Sequence, residues 1–126
     1  KLFVNYTYNN AKVVRNSANP ATEGKKLTLV PKEMFNIGAE FMRGPFMGRI
    51  VGRYAGKRYN NDLNSDRTNN VFTSYDPFFV ADAKISYGIT KRVTASVAVD
   101  NIFDRYFFYD NRAPERKWYG ELTIRF

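Results

Sequence analysis

Apolar side chains in this chain recur at every second position, a period that fits the two faces of a β-strand and no face of an α-helix. In Val93-Thr94-Ala95-Ser96-Val97-Ala98-Val99-Asp100, one side carries Val93, Ala95, Val97 and Val99, and the other carries Thr94, Ser96, Ala98 and Asp100. The last residues repeat the pattern, with Trp118, Gly120, Leu122, Ile124 and Phe126 alternating with Tyr119, Glu121, Thr123 and Arg125. A third run sets Phe79, Ala81, Ala83, Ile85 and Tyr87 against Val80, Asp82, Lys84 and Ser86. A fourth sets Phe35, Ile37, Ala39 and Phe41 against Asn36, Gly38, Glu40 and Met42. Near the start, Leu2, Val4, Tyr6 and Tyr8 alternate with Phe3, Asn5, Thr7 and Asn9. Phe46 to Tyr59 is weaker, and its Gly48, Gly52 and Gly56 share the parity of Ile50 and Tyr54.

These runs predict six strands over 2–14, 33–43, 46–59, 77–88, 92–103 and 117–126. Arg43-Gly44-Pro45 and Gly88-Ile89-Thr90-Lys91 read as tight hairpins, whereas 15–32, 60–76 and 104–116 are long links rich in Asn, Asp, Arg, Ser and Pro. Short and long connections alternate strictly. In an antiparallel up-and-down meander, every long loop then lies at one end and every tight turn at the other.

Strands of about ten residues with this loop asymmetry fit a transmembrane β-barrel. A soluble sandwich or lipocalin-like barrel also alternates, so the aromatics carry the distinction. Phe79 and Tyr87 lie eight residues apart on one apolar face, and so do Trp118 and Phe126. Eight residues of tilted strand span roughly 20 Å, close to the roughly 25 Å apolar band of a membrane barrel. Between these rings stand Ala81, Ala83 and Ile85, and Gly120, Leu122 and Ile124. Rings at both ends with small or aliphatic residues between them predict two membrane girdles. The polar faces carry Glu40, Arg49, Arg53, Asp82, Lys84, Asp100, Glu121 and Arg125, which suits a hydrated lumen and equally the wet side of a soluble sheet. Six strands are too few to close a membrane barrel. The chain is expected to be part of a larger barrel, an oligomer remaining the other way to close one.

Composition removes most other classes. The 126 residues include no Cys and no His, which excludes a disulfide framework, an imidazole- or thiol-based catalytic centre and a zinc site of the usual ligand types. A mean hydropathy of −0.50 excludes a helical membrane protein, and Lys1 to Asn10 does not read as a signal peptide. The carboxylates are dispersed and there is no glycine-rich phosphate loop, so no enzyme and no cofactor are expected. The net charge of +8 raises nucleic acid, but the basic residues scatter over loops, turns and polar faces. They suit lipopolysaccharide phosphates outside and anionic substrates in the lumen, and no nucleic acid is expected. Asp100, Asp104 and Asp110, like Asp62 and Asp66, read as strand-end and turn chemistry, since no loop has calcium-site spacing and no metal site is expected.

Asp100-Asn101-Ile102-Phe103-Asp104-Arg105-Tyr106, followed after a loop by Arg116-Lys117-Trp118-Tyr119-Gly120-Glu121-Leu122-Thr123-Ile124-Arg125-Phe126, closely resembles the end of TonB-dependent outer-membrane receptors. Gly24-Lys25-Lys26-Leu27, Val30-Pro31-Lys32 and Phe35-Asn36 resemble the family's approach to a strand, and Tyr54-Ala55-Gly56-Lys57-Arg58-Tyr59 and Asp76-Pro77-Phe78 extend the likeness over nearly the whole chain. The resemblance implies the last six strands of a 22-stranded barrel in the bacterial outer membrane, with an N-terminal plug and the earlier strands outside 1–126. It further implies import of a scarce nutrient, foremost a ferric siderophore, energised through the TonB complex. Phe126 resembles the signal read by the outer-membrane assembly machinery, beside the plainer reading of a strand that ends in an aromatic. On this orientation the long loops face outside. There Tyr106, Phe107, Tyr109 and Arg112, with Arg67 and Tyr75, are candidate contacts for an anionic ferric chelate, against the alternative of girdle and loop packing. A porin-like channel and a soluble β-sheet ligand-binding module remain the competing functions.

Overall fold

A computed structural model describes residues 1–126. The strands are β1 (Leu2–Tyr8), β2 (Glu33–Arg43), β3 (Phe46–Ala55), β4 (Phe78–Gly88), β5 (Val93–Asp100), β6 (Phe108–Tyr109), β7 (Asn111–Arg112) and β8 (Lys117–Ile124). One sheet has the order β1-β2-β3-β4-β5-β8, every neighbour antiparallel, and β6 and β7 form a small separate hairpin. This is the expected meander of six strands. The β6–β7 hairpin inside the link 104–116 was not foreseen, because two-residue strands carry no alternation to read.

Four strands stop earlier than the alternation predicts. The first expected strand, 2–14, loses its regular ladder after Tyr8. Beyond it the chain runs as a loose ribbon, in which the Leu27 N–H donates to the Ala11 carbonyl (3.1 Å) and the Val13 N–H to the Lys25 carbonyl (2.9 Å). The run 46–59 ends as β3 at Ala55, and only an isolated bridge from Arg58 to Tyr75 continues it. The run 92–103 ends where Asn101 takes a left-handed backbone (φ 51°), which turns the chain out of the sheet. The final strand ends at Ile124 and not at Phe126: Ile124 opposite Val93 is the last paired position, and beyond it only the Arg125 N–H bonds, to the Arg92 carbonyl at 2.8 Å.

The register aligns the two faces across all six strands. Tyr6, Phe35, Tyr54 and Phe79 stand side by side, as do Val4, Ile37, Gly52 and Ala81, and then Leu2, Ala39, Ile50, Ala83, Val99 and Trp118. This apolar face has no second layer over it. Only 18 of 126 residues are buried, and Leu2 (83% exposed), Ile85 (58%) and Val97 (55%) are open. A continuous apolar sheet surface of this kind needs an apolar surrounding. The buried apolar residues are few: Ala81 and Val99 on this face, and Ala55, Val80, Phe107 and Phe108 at the long-loop end, where Phe107 and Val80 line one cavity on the opposite side.

The glycines that share parity with Ile50 and Tyr54 make room for rings. A side chain at Gly48 would run into the Phe41 ring, and a Cβ at Gly52 would lie 2.9 Å from the Phe79 ring. Each ring thus lies across its neighbour's bare backbone, covering ladder that a side chain would otherwise shield.

Candidate functional site

At the turn end of the apolar face, Phe46 and Tyr87 meet with ring centroids 4.7 Å apart. At the long-loop end, Phe35 stacks on Tyr54 (5.0 Å), and Phe79 lies between Phe35 (6.1 Å) and Phe103 (6.4 Å). Trp118 sits on the same face of β8, opposite Val99, and is exposed. Phe79 and Tyr87 therefore occupy the two opposite ends of one apolar surface. Phe126, fully exposed, lies past the last paired residue.

The polar face carries a paired charge pattern. Arg53 reaches the Asp82 carboxylate at 2.6 Å, Lys84 crosses β5 to Glu121 on β8 at 2.7 Å, and Arg49 lies 3.5 Å from Glu40. Ser86 and Ser96 share a hydrogen bond of 2.9 Å. Arg49 stands directly opposite Lys84, a like-charge pair that these outer carboxylates offset. Such partly exposed pairs contribute about 0–1 kcal/mol each, so their main effect is a wall that holds water and polar solute.

Above that wall, the links 60–76 and 104–116 fold against each other. Asp76 is 2% exposed, and its carboxylate accepts from the Phe108 N–H (2.8 Å), the Ser74 hydroxyl (2.8 Å) and the Asn70 N–H (3.1 Å). Its own N–H donates to the Phe108 carbonyl at 2.9 Å. Isolated bridges from Arg58 to Tyr75 and from Tyr75 to Tyr109 continue the sheet through both loops. The Arg58 guanidinium, on a side chain with no acidic partner, lies over the Tyr109 ring at 4.4 Å and the Phe78 ring at 5.9 Å. Burying that cation is tolerable because the ring faces supply negative potential.

The expected ligand residues divide on this framework. Tyr75 and Tyr109 meet edge to face at 5.1 Å, and Tyr106 carries Arg112 over its ring at 4.9 Å. Arg112 also pairs with Glu115. Tyr106 and Tyr109 are half exposed, and Tyr109 and Arg112 line one cavity. Phe107 does not belong to it: its ring stacks on Phe78 at 4.5 Å and is buried, which makes it part of the core under the hairpin. Arg67 is exposed, and its side chain makes no hydrogen bond or ion pair with this cluster. Below the hairpin a cavity of about 380 Å³ is lined by Arg53, Phe78, Tyr109, Asn111 and Arg112 among others.

Asp76, Arg58 and Asn101 carry this arrangement although none was singled out in advance for it. Asn101 is buried; its amide donates to the Arg105 (3.1 Å) and Pro114 (3.3 Å) carbonyls and accepts from the Arg105 N–H (2.9 Å). The Asp104 carboxylate accepts the Arg116 N–H at 2.9 Å, the turn chemistry its position suggests. The available signal was Ser74-Tyr75-Asp76, whose short polar side chains readily bond nearby backbone, ahead of Pro77.

Comparison with known proteins agrees with this architecture. The family model described as TonB dependent receptor-like, beta-barrel matches residues 1–102. The chain is 32% identical over 107 residues to the vitamin B12 transporter BtuB of Vibrio cholerae, covering 83% of this chain and 17% of that protein. It therefore spans about a sixth of the length of the curated relatives it matches. Among solved structures, the unliganded ferric citrate transporter FecA superposes with a TM-score of 0.82 at 18% identity, over 99% of this chain and 21% of that one. The siderophore receptor PiuA of Acinetobacter baumannii superposes with a TM-score of 0.78 at 18% identity, over 98% and 19%. An uncovered apolar face, a charged opposite face and this family match converge: the chain belongs to the TonB-dependent receptor family, as part of its outer-membrane β-barrel.

Proposed function

We propose that residues 1–126 are the C-terminal segment of a 22-stranded receptor barrel that imports a ferric siderophore across the outer membrane, energised by the TonB complex through a plug outside this segment. The observation that carries the ligand class is the pair of half-exposed rings Tyr106 and Tyr109, with Arg112 over the first, and Arg58 and the less exposed Tyr75 against the second. Aromatic faces and guanidinium groups together suit a bulky anionic chelate. On this reading the loops capture the chelate, and the charged wall below offers a hydrated path once the plug rearranges. The reaction is transport, without covalent chemistry. The family match favours this reading over the porin-like channel and the soluble module.

Further roles follow from the same orientation. Phe79 and Tyr87, with Trp118 and Phe126, are assigned to the two interfacial girdles, and Phe126 also to the signal for the assembly machinery. A second reading is corrinoid uptake, favoured by the 32% identity to a vitamin B12 transporter over most of the chain. Gene deletion followed by growth on defined ferric siderophores, and separately on cyanocobalamin, decides between them. The siderophore reading expects loss of growth on at least one ferric siderophore, restored by the wild-type gene and poorly by a Tyr106→Ala/Arg112→Ala double variant. An unchanged response to iron with lost cobalamin-dependent growth overturns it in favour of the corrinoid.

A further inference from the structure

Arg58 is the one basic side chain that is buried, at 7% exposure, and it is buried without the partners a guanidinium needs. It forms no ion pair, its side-chain N–H groups reach no protein acceptor, and its Nε is shut off from solvent as well. The arginines around it are satisfied. Arg53 donates to Asp82 at 2.6 Å, Arg112 pairs with Glu115, and Arg116 donates to the Ile102 carbonyl at 3.3 Å. A buried charge without an acid is costly, and so is a sealed donor without an acceptor. The rings of Tyr109 (4.4 Å) and Phe78 (5.9 Å) offset the charge. They do not supply the paired in-plane oxygens that a guanidinium fork matches.

The backbone holds this cation in place. Arg58 bridges to Tyr75 and Tyr75 to Tyr109, so the three residues stand in one row across both long loops. The Arg58 N–H donates to the Tyr75 carbonyl at 3.2 Å. Phe78 has the strand parity of Val80 and Asp82, which puts the cation on the side of the polar face. There Phe78 and Tyr109 line the cavity of about 380 Å³, while Arg58 lies behind them and does not line it. The two covering rings differ. Phe78 is locked by its stack on the buried Phe107 at 4.5 Å, whereas Tyr109 is 50% exposed and rests against Tyr75 at 5.1 Å.

We propose that Arg58 is a covered anion site for the cargo. As cargo enters the cavity, the Tyr109 ring swings off the guanidinium and a carboxylate of the cargo takes its place, held by parallel N–H···O bonds from the two terminal nitrogens. A cation–ring contact is weaker than a two-pronged bond of that kind, so the exchange runs toward the carboxylate. A neutral chelate of the same size gains nothing from displacing the ring. The site therefore selects a carboxylate-bearing ferric chelate. This inference rests on the import reading given above and narrows its cargo class.

The test uses the full-length receptor in detergent, titrated separately with ferric citrate, the neutral ferric trihydroxamate ferrichrome, and cyanocobalamin. Ferric citrate should bind, and Arg58→Gln should weaken it by on the order of 10- to 100-fold. Arg58→Lys, charged but without the fork, should restore only part of the loss. Modification by the arginine reagent phenylglyoxal, located by peptide mass spectrometry, reports the cover directly. Arg58 should react slowly in the free receptor, faster in Tyr109→Ala, and slowly again in that variant with ferric citrate bound. Arg43, exposed at the turn end, should react equally in every sample. Ferric citrate binding that Arg58→Gln leaves unchanged, fast labelling of Arg58 in the free wild type, or tighter binding of ferrichrome overturns the covered site and leaves siderophore import standing. Binding of cyanocobalamin alone, or of none of the three, overturns the siderophore reading and this site with it.

Discussion

Removing the Asp76 carboxylate should unfasten the two long loops without unfolding the sheet. The Asp76→Ala substitution leaves the buried Phe108 N–H and the buried Ser74 hydroxyl without their acceptor, and the Asn70 N–H loses one as well. Each orphaned buried donor costs about 1–3 kcal/mol, which gives about 2–6 kcal/mol for the two fully buried groups. That cost falls on the contact between the links 60–76 and 104–116, since the β3–β4 ladder from Phe46 opposite Tyr87 to Ala55 opposite Phe78 does not use the carboxylate. Hydrogen exchange of the full-length receptor in detergent, read peptide by peptide, measures the opening directly. A loss of 3 kcal/mol corresponds to roughly 150-fold faster exchange at Phe108 and Asn70, with β3 and β4 unchanged. Asp76→Asn should fall between, because an amide keeps one acceptor oxygen and turns an NH₂ toward a donor. Ligand affinity should fall alongside, as Tyr75 and Tyr109 lose their fixed separation. Unchanged exchange at Phe108 in the Ala variant would refute the idea that this carboxylate joins the two loops.

Other substitutions probe the two faces and the turn. Ile50→Arg, on the apolar face opposite Ala39 and Ala83, should cost about 2–4 kcal/mol in bilayers; Val51→Arg, on the polar face opposite Asp82, should cost far less, as urea titration of the folded barrel in lipid vesicles will show. Gly52→Leu must displace the Phe79 ring and should lose about 1–3 kcal/mol, whereas Gly120→Ala, with no atom near its Cβ position, should be neutral in the same titration. Asn101→Ala removes three hydrogen bonds at a residue of positive φ and should cost about 2–4 kcal/mol, and Asn101→Gly should recover only the backbone part.

The fold was legible because its dominant constraint is local. A residue and its second neighbour share a face whatever the rest of the chain does, so Phe35, Ile37, Ala39 and Phe41 announced β2 with both ends correct at 33–43. Strand ends were less legible where pairing, and not pattern, decides them. Phe126 continues the alternation of Trp118 and Ile124, yet beyond Ile124 opposite Val93 only the Arg125 N–H finds a partner, the Arg92 carbonyl at 2.8 Å. The alternation from Val93 likewise reads as a strand running to 103, and only the left-handed Asn101 reveals that the sheet ends there.

The site was legible only as a composition, for a physical reason that Phe107 and Tyr109 make plain. Both are aromatic, two residues apart, in a loop that looks uniformly suited to ligand, and alternation gives them the same parity. Yet Phe107 is buried against Phe78, while Tyr109 is half exposed over Arg58. Their difference comes from partners about thirty and fifty residues away in sequence: Asp76 draws the Phe108 backbone down by a charge-assisted bond, and that places one ring in the core and the other on the rim. Loop function therefore depends on contacts with no periodicity. The buried Arg58 completes the point, since a cation without an acid is legible as tolerable only when the two rings that face it are known. The same logic extends to the other cations of the long-loop end. Arg58 lies over aromatic faces without an acid, Arg112 has both the Tyr106 ring and Glu115, and Lys26 lies over the Tyr59 ring at 5.7 Å, so each cation is read only from partners distant in sequence or across a turn.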